Sequence, residues 1–341
     1  MKKIAIAMAS NVALALLMTT GCRSLTAERT ALGGTTVAKW QGDAKGAFSM
    51  FYDDGCYSAM TFATTTLKKY DVPGTFYLCI GWIAHKPQTI KEWCSLADNK
   101  VIFLGNHTYN HAGVKDVESA MKEIGDNDKV IREGLGLGPK ALISFAQPGA
   151  VDWKITPEQE KEIFEKIPSI KRQTVNKFGK ENVGSRPLKT AEDFIPILDA
   201  IEKHGIYDTV IFHGIGGDWF YFDAGEHEKL CKELIRRKLE GTLWTDAAIN
   251  VQKYIAERDT AKVEVVADFN EKGQASIELT VTTDPESYDV PLTLVTTTPE
   301  GEWKGLRIYQ ENYTTAVPIV NGVAKYNVLP KSGKLSLQLC K

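Results

Sequence analysis

Ala47-Phe48-Ser49-Met50-Phe51-Tyr52-Asp53-Asp54-Gly55 is an almost unbroken apolar run that ends abruptly in two carboxylates and a glycine. Such a short run reads as a strand buried on both faces, as in a parallel sheet. Gly55 makes a sharp turn cheap at its end, which leaves Asp53 and Asp54 at the strand's C-terminal tip. In a parallel sheet or barrel all such tips share one face, so residues far apart in sequence can meet there.

Further runs follow at Gly74 to Leu78, Val101 to Leu104, Ala141 to Ala146, Ile170 to Val175, Thr209 to His213 and Gly241 to Thr245. Helical spacing of apolar residues separates them at Ser58 to Tyr70, Asp116 to Glu133, Pro157 to Lys166, Ala191 to His204 and Glu226 to Leu239. Strands alternating with helices predict an α/β unit with a mainly parallel sheet. Three of the six histidines fall at strand ends: Asn106-His107-Thr108-Tyr109-Asn110-His111 follows the third run, and Phe212-His213-Gly214 closes the sixth. His107 and His111 are four apart, so a helical turn between them would point both imidazoles at one cation. One of the two aspartates would complete a His2Asp set with positions left open for water and substrate, while the other works on water.

From about Lys262 the period changes to two. Val263 and Val265, Ile277 to Val281, Leu292 and Leu294, then Leu335, Leu337 and Leu339 alternate with polar residues, as half-buried strands do. Turn-rich stretches at 270–273 and 299–301 suit a small β-sandwich whose strands form their own core. The expected organisation is a signal peptide (1–21), a linker (22–39), an α/β domain (40–258) and a sandwich-like β domain (259–341).

The N-terminus reads as an export signal. Lys2 and Lys3 precede an apolar run from Ile4 to Met18, and Leu17-Met18-Thr19-Thr20-Gly21-Cys22 resembles a bacterial lipobox. That predicts a membrane anchor through lipidated Cys22. The other five cysteines show no paired CxxC spacing, which argues against a zinc ribbon. Cys79 and Cys94 are one pair that a disulfide could join, with buried free thiols expected for most. The 341 residues carry 41 Lys and Arg against 43 Asp and Glu, a net charge of -2, which offers no attraction to a phosphate backbone. Nucleic acid is therefore not an expected partner.

Taken in order, Tyr52-Asp53-Asp54-Gly55, His107-Thr108-Tyr109-Asn110-His111, Phe145-Ala146-Gln147-Pro148 and Ile211-Phe212-His213-Gly214 resemble the motifs of the polysaccharide deacetylase family, the NodB-homology or carbohydrate esterase family 4 domain. The resemblance covers about Lys39 to Arg258. It implies a distorted, incomplete (β/α)7 barrel with a metal, usually zinc, held by Asp54, His107 and His111. It also implies Asp53 as general base and His213 as general acid. Gln147, Pro148 and Gly149 would lie near the oxyanion, and Trp219 could wall the acetyl pocket or stack on sugar. The function implied is removal of N-acetyl groups from an amino-sugar glycan outside the cytoplasm. An O-acetyl glycan esterase and a catalytically weak glycan-binding lipoprotein are the alternatives. The chain departs from the family pattern at Ala146, where many members have an arginine that orients the base, and at Ala150 in place of a glycine. The acidic motif that tunes the acid histidine has no counterpart in the sequence.

Overall fold

A computed structural model describes residues 34–83, 87–173 and 188–341. The signal-peptide segment and Cys22 lie outside the described residues. The chain enters through β1 (Thr35–Val37), so the stretch expected to be a linker ends in a strand. Each of the seven expected runs contains a strand, β2 (Gly46–Tyr52), β3 (Gly74–Leu78), β4 (Ile102–Asn106), β5 (Ile143–Phe145), β6 (Ser169–Lys171), β7 (Tyr207–Phe212) and β8 (Leu243–Thr245), while residues 174 and 175 of the fifth run lie outside the described residues.

These strands are parallel and ordered β6-β5-β4-β3-β2-β7, with β8 pairing the first residues of β2. Among the described residues β6 and β7 do not pair, so the sheet is a curled, open half-barrel. Its central strands β2, β3 and β4 are buried at every position, which is why they read as apolar runs rather than alternations. Phe48, Met50, Tyr52, Phe76 and Leu78 face the helices, whereas Phe51, Tyr77 and Ile211 point into the barrel beside Ala146 and Ala248.

The helices are α1 (Thr64–Tyr70), α2 (Ile80–Ile83), α3 (Pro87–Leu96), α4 (Val117–Leu135), α5 (Pro157–Lys166), α6 (Ile195–His204), α7 (Ala224–Leu239) and α8 (Ala248–Thr260). A π-helical turn, Ala59–Ala63, leads into α1, and π turns gather at functional sites. Thr156 caps α5 through a reciprocal box with Gln159, with Pro157 in the first turn. By contrast, α8 escapes a sequence reading because it is buried on two sides, with Gln252 and Glu257 inside among Val251 and Tyr254. The Ala248 backbone amide donates to Thr75 Oγ1, and the Gln252 side-chain Nε2 donates to the Lys171 carbonyl, so α8 packs against the inside of the sheet.

The second unit contains β9 (Lys262–Ala267), β10 (Gln274–Thr280), β11 (Leu292–Thr297), β12 (Gly305–Gln310), β13 (Tyr313–Val320), β14 (Val323–Val328) and β15 (Gly333–Cys340). Their antiparallel order is β1-β11-β14-β13-β12-β15-β10-β9. β13 pairs β12 along most of its length and β14 only through Ile319 and Val320, so the sheet folds there into two halves. Leu279, Leu292, Ile308, Tyr326 and Leu337 fill the space between them. That core does not close on itself. Trp40, Tyr207, Trp244, Val251 and Tyr254 from the α/β unit belong to the same cluster. All five described cysteines are free, Cys79 and Cys94 included.

Candidate active site

The site forms where β2, β4 and β7 end. The Asp53 amide still donates to Phe212 O at 2.8 Å, which continues the strand ladder by one residue. Asp54 (φ 70°) and Gly55 (φ 65°) then both adopt left-handed backbone, and the chain reverses. Asp tolerates this conformation better than most residues with a Cβ, and here it turns the second carboxylate into the same space as the first.

After β4, a buried amide pair fixes the turn. Asn106 Oδ1 accepts from the Thr108 amide and from Asn127 Nδ2 of α4, each at 2.9 Å, and Asn127 Oδ1 accepts from the Ile80 amide. The turn is not the helical one expected from the four-residue spacing. Thr108 (φ 64°) and His111 (φ 53°) are left-handed, and two reversals bring the imidazoles within 5.0 Å, centroid to centroid. His107 Nδ1 lies 2.9 Å from the Ala146 carbonyl. A carbonyl can only accept, so Nδ1 donates to it, and the ring then turns Nε2 toward Asp54.

Asp53, Asp54, His107, His111 and His213 come together. Asp54 Oδ1 lies 3.4 Å from His107 Nε2 and 3.5 Å from His111 Nε2, and Asp54 Oδ2 lies 3.5 Å from His213 Nε2. Both Asp54 oxygens are buried and accept no hydrogen bond among the described residues. A buried carboxylate without a partner is costly, so these oxygens call for a cation. Two of these spacings, from Asp54 Oδ1 to His107 Nε2 and to His111 Nε2, are close to the ligand-to-ligand edge of about 3.3 Å that bonds of about 2.0–2.1 Å give in a tetrahedral set. Cys79 Sγ also lies near Asp54 and His107. Burial and the neighbouring carboxylates push its thiol pKa well up, and it donates to the His107 carbonyl.

The partner of Asp53 is the residue that sequence reasoning missed. Arg172, just past β6, grips the carboxylate with both arms, Nη1 to Oδ1 at 2.5 Å and Nη2 to Oδ2 at 2.7 Å. Its guanidinium lies 4.6 Å from the Tyr77 ring centre and 5.3 Å from that of Phe51. Burial works to raise the Asp53 pKa, but Arg172, with help from His107, outweighs it and holds the group at about 2. The expected loss of an orienting arginine at Ala146 is thereby corrected. Ala146 packs with Phe51 and Tyr77, the two rings that the Arg172 guanidinium lies over. The sequence did carry a signal, since Arg172 follows a strand as Asp53, His107 and His213 do.

His213 sits on a loop whose path demands glycine. A Cβ on Gly214 would lie 1.9 Å from the Gly217 carbonyl. Ser58 ties this loop to the one after β2: its Oγ donates to Gly217 O and its amide to Asp218 Oδ2. His213 Nδ1 is buried without a hydrogen-bond partner among the described residues. Trp219 reaches the site, edge-on to His213 at 5.4 Å. Gln147 is engaged instead by Lys171, which Glu160 also holds, and Gly149 is solvent-exposed. His227, behind the site, shares a 2.7 Å hydrogen bond with Tyr52 Oη, and burial lowers its pKa to about 3, so it is a neutral core histidine.

A curated-protein comparison returns no match for the chain. Among solved structures it is similar to the peptidoglycan deacetylase PdaC from Bacillus subtilis, at 17% identity over 63% of this chain and 94% of that one, with a TM-score of 0.40. It is also similar to a family 4 carbohydrate esterase from Streptomyces lividans in complex with acetate, at 14% identity over 61% and 95%, with a TM-score of 0.43. A third is a CE4 family pseudoenzyme from Bacillus anthracis, at 16% identity over 60% and 64%, with a TM-score of 0.40. Residues 41–152, the segment that carries Asp53, Asp54, His107 and His111, match the family model described as Polysaccharide deacetylase.

Proposed function

We propose that the protein hydrolyses N-acetyl groups of an amino-sugar glycan outside the cytoplasm, with a divalent cation, zinc by preference, held by Asp54, His107 and His111. The observation that carries this is the pair of unpartnered Asp54 oxygens facing three imidazole nitrogens at 3.4–3.5 Å. Two nitrogens and one carboxylate are a donor set suited to zinc. The cation, when bound, supplies Lewis acidity towards the acetyl carbonyl and lowers the pKa of a water molecule to about 7.

Within that reading, each residue has a task. Asp53, kept ionised and oriented by Arg172, takes the proton from the attacking water. His213 gives one to the leaving amine, a step suited to imidazole because its ordinary pKa is about 6.5. His107 and His111 keep fixed directions, the first through the Ala146 carbonyl and the second through Trp82, whose ring stacks on it at 4.9 Å. Trp219 shields the acetyl group from water. The sequence Leu17 to Cys22 supports an exported, lipid-anchored protein. Arg172 gives Asp53 the basic partner that Ala146 does not, which supports an enzyme over a glycan-binding protein.

Acetate release by cation-loaded protein across N- and O-acetylated glycans tests the function and separates amide from ester substrates. His107→Ala is expected to reduce bound zinc, measured by elemental analysis, from near one equivalent per chain to a small fraction; full occupancy would refute the ligand set. Arg172→Met should lower turnover by about 10- to 100-fold at unchanged cation content, the usual cost of losing an orienting partner. Adding Ala146→Arg to that variant should restore part of the loss, since the vacated space lies beside residue 146.

A further inference from the structure

The inner face of α8 carries a polar side chain that the apolar packing around it does not require. Ala248 packs with Phe51 and Tyr77, the two rings that the Arg172 guanidinium lies over. Gln252 stands four residues further on, so one helical turn places it on the same face. It is 7% exposed, and its Oε1 has no hydrogen-bond partner among the described residues. A buried amide with part of its capacity unused costs stability, and an apolar side chain of the same length would fill the space without that cost. What the amide does make is the bond from Nε2 to the Lys171 carbonyl.

That carbonyl belongs to the peptide unit joining Lys171 to Arg172. The N–H of the same unit, the Arg172 amide, donates to the Phe145 carbonyl of β5 at 2.7 Å. The two polar groups of a strand peptide point in opposite directions, so with the amide turned to β5 the carbonyl turns away from it, and there Gln252 meets it. The peptide plane from which the Arg172 side chain departs is therefore pinned from both sides. The Lys171 side chain adds a third anchor through Glu160 and Gln147. α8 is itself fixed further along: Tyr254 Oη donates to the Ala38 carbonyl at 2.9 Å, and Glu257 accepts from the Val290 amide at 3.0 Å. The helix thus carries the support of the β unit to the strand end that holds Arg172. A guanidinium that must place two N–H groups on two carboxylate oxygens tolerates little tilt at its root.

We propose that Gln252 is a positioning residue: by pinning the Lys171–Arg172 peptide from inside the half-barrel, it sets the direction from which Arg172 forks onto Asp53, and so the orientation of that carboxylate. The consequence for turnover rests on the deacetylase reading, whereas the effect on Arg172 does not.

The test uses the cation-loaded full chain with isotope-labelled arginine, followed by NMR. The guanidinium signals of Arg172 are those that vanish in Arg172→Met, and in the parent they should be sharp and slow to exchange with water. Gln252→Met keeps the length of the side chain and removes the donor. It should broaden those signals and speed their exchange by about 10-fold or more, with the other arginine signals and the zinc content close to the parent's. Turnover should fall by about 10-fold at unchanged KM, and adding Gln252→Met to Arg172→Met should cost less than about 2-fold further, because the two residues act as one unit. Gln252→Ala removes the donor without adding bulk and should give the same guanidinium signature. Parental Arg172 signals in both variants, or losses of turnover that multiply in the double variant, overturn the proposal. Zinc loss and broadening across the whole spectrum in both variants also overturn it, since they mark a packing defect rather than a directed contact. Broadened Arg172 signals alone, in variants of a parent that releases no acetate from any substrate, would leave the positioning role standing and sink the deacetylase reading instead.

Discussion

Asp53→Asn is expected to cut acetate release by about 100- to 10,000-fold, the usual contribution of a general base, with cation content close to that of the parent. The substitution changes almost nothing in shape. Its effect comes from replacing an anionic oxygen, which takes a proton, with an amide that cannot. Arg172 is affected too, because a guanidinium that forks onto two carboxylate oxygens finds one of them replaced by an NH2 donor. The neighbouring change has another signature. Asp54→Asn should weaken cation binding itself, since both Asp54 oxygens lack any other partner and face His107, His111 and His213. Acetate release by Asp53→Asn at the parental rate would show that the base lies elsewhere, and unchanged zinc affinity in Asp54→Asn would remove that residue from the ligand set.

The five clustered residues were legible because each is a chemically distinctive side chain directly after an apolar run, and parallel strands bring their ends to one face. The central strands were legible for a related reason, since burial on both faces leaves no alternation to blur the run. Arg172 was not legible, although it too follows a strand. In the sheet order β6 lies four places from β2, so only the curl of the half-barrel carries an arginine after β6 to a carboxylate after β2. The path between His107 and His111 was misread for a local reason, because spacing cannot distinguish a helical turn from two left-handed reversals at Thr108 and His111. In α8, the buried polar residues Gln252 and Glu257 break the apolar period that would have announced a helix.

Removing the tail is the change with the largest expected effect on folding, and the expectation is the reverse of what alternating strands suggest. From the sequence alone the β unit reads as self-contained, so a chain ending at Arg258 should stay soluble. The structure gives the two units one apolar cluster, in which Trp40, Tyr207, Trp244, Val251 and Tyr254 pack with Leu279, Leu292, Ile308 and Leu337. Polar contacts cross the same junction. Glu257 accepts from the Val290 amide, Gln41 donates to the Pro291 carbonyl, and the Gly42 amide donates to Thr293 Oγ1. β1 pairs with β11 and would lose its partner altogether. Each large apolar side chain uncovered costs about 1.5–3 kcal/mol, so four or five together approach the whole stability of a domain, about 5–15 kcal/mol. The shortened chain should therefore be recovered mainly in the insoluble fraction, and any soluble part should melt far below the parent and hold little zinc. A monomeric, zinc-loaded product melting cooperatively at the parental temperature would show that the α/β unit closes its own core and that the shared cluster contributes little. Short of that, the β unit is to be understood as the floor of the half-barrel, on the side opposite the strand ends that carry Asp53, His107 and His213.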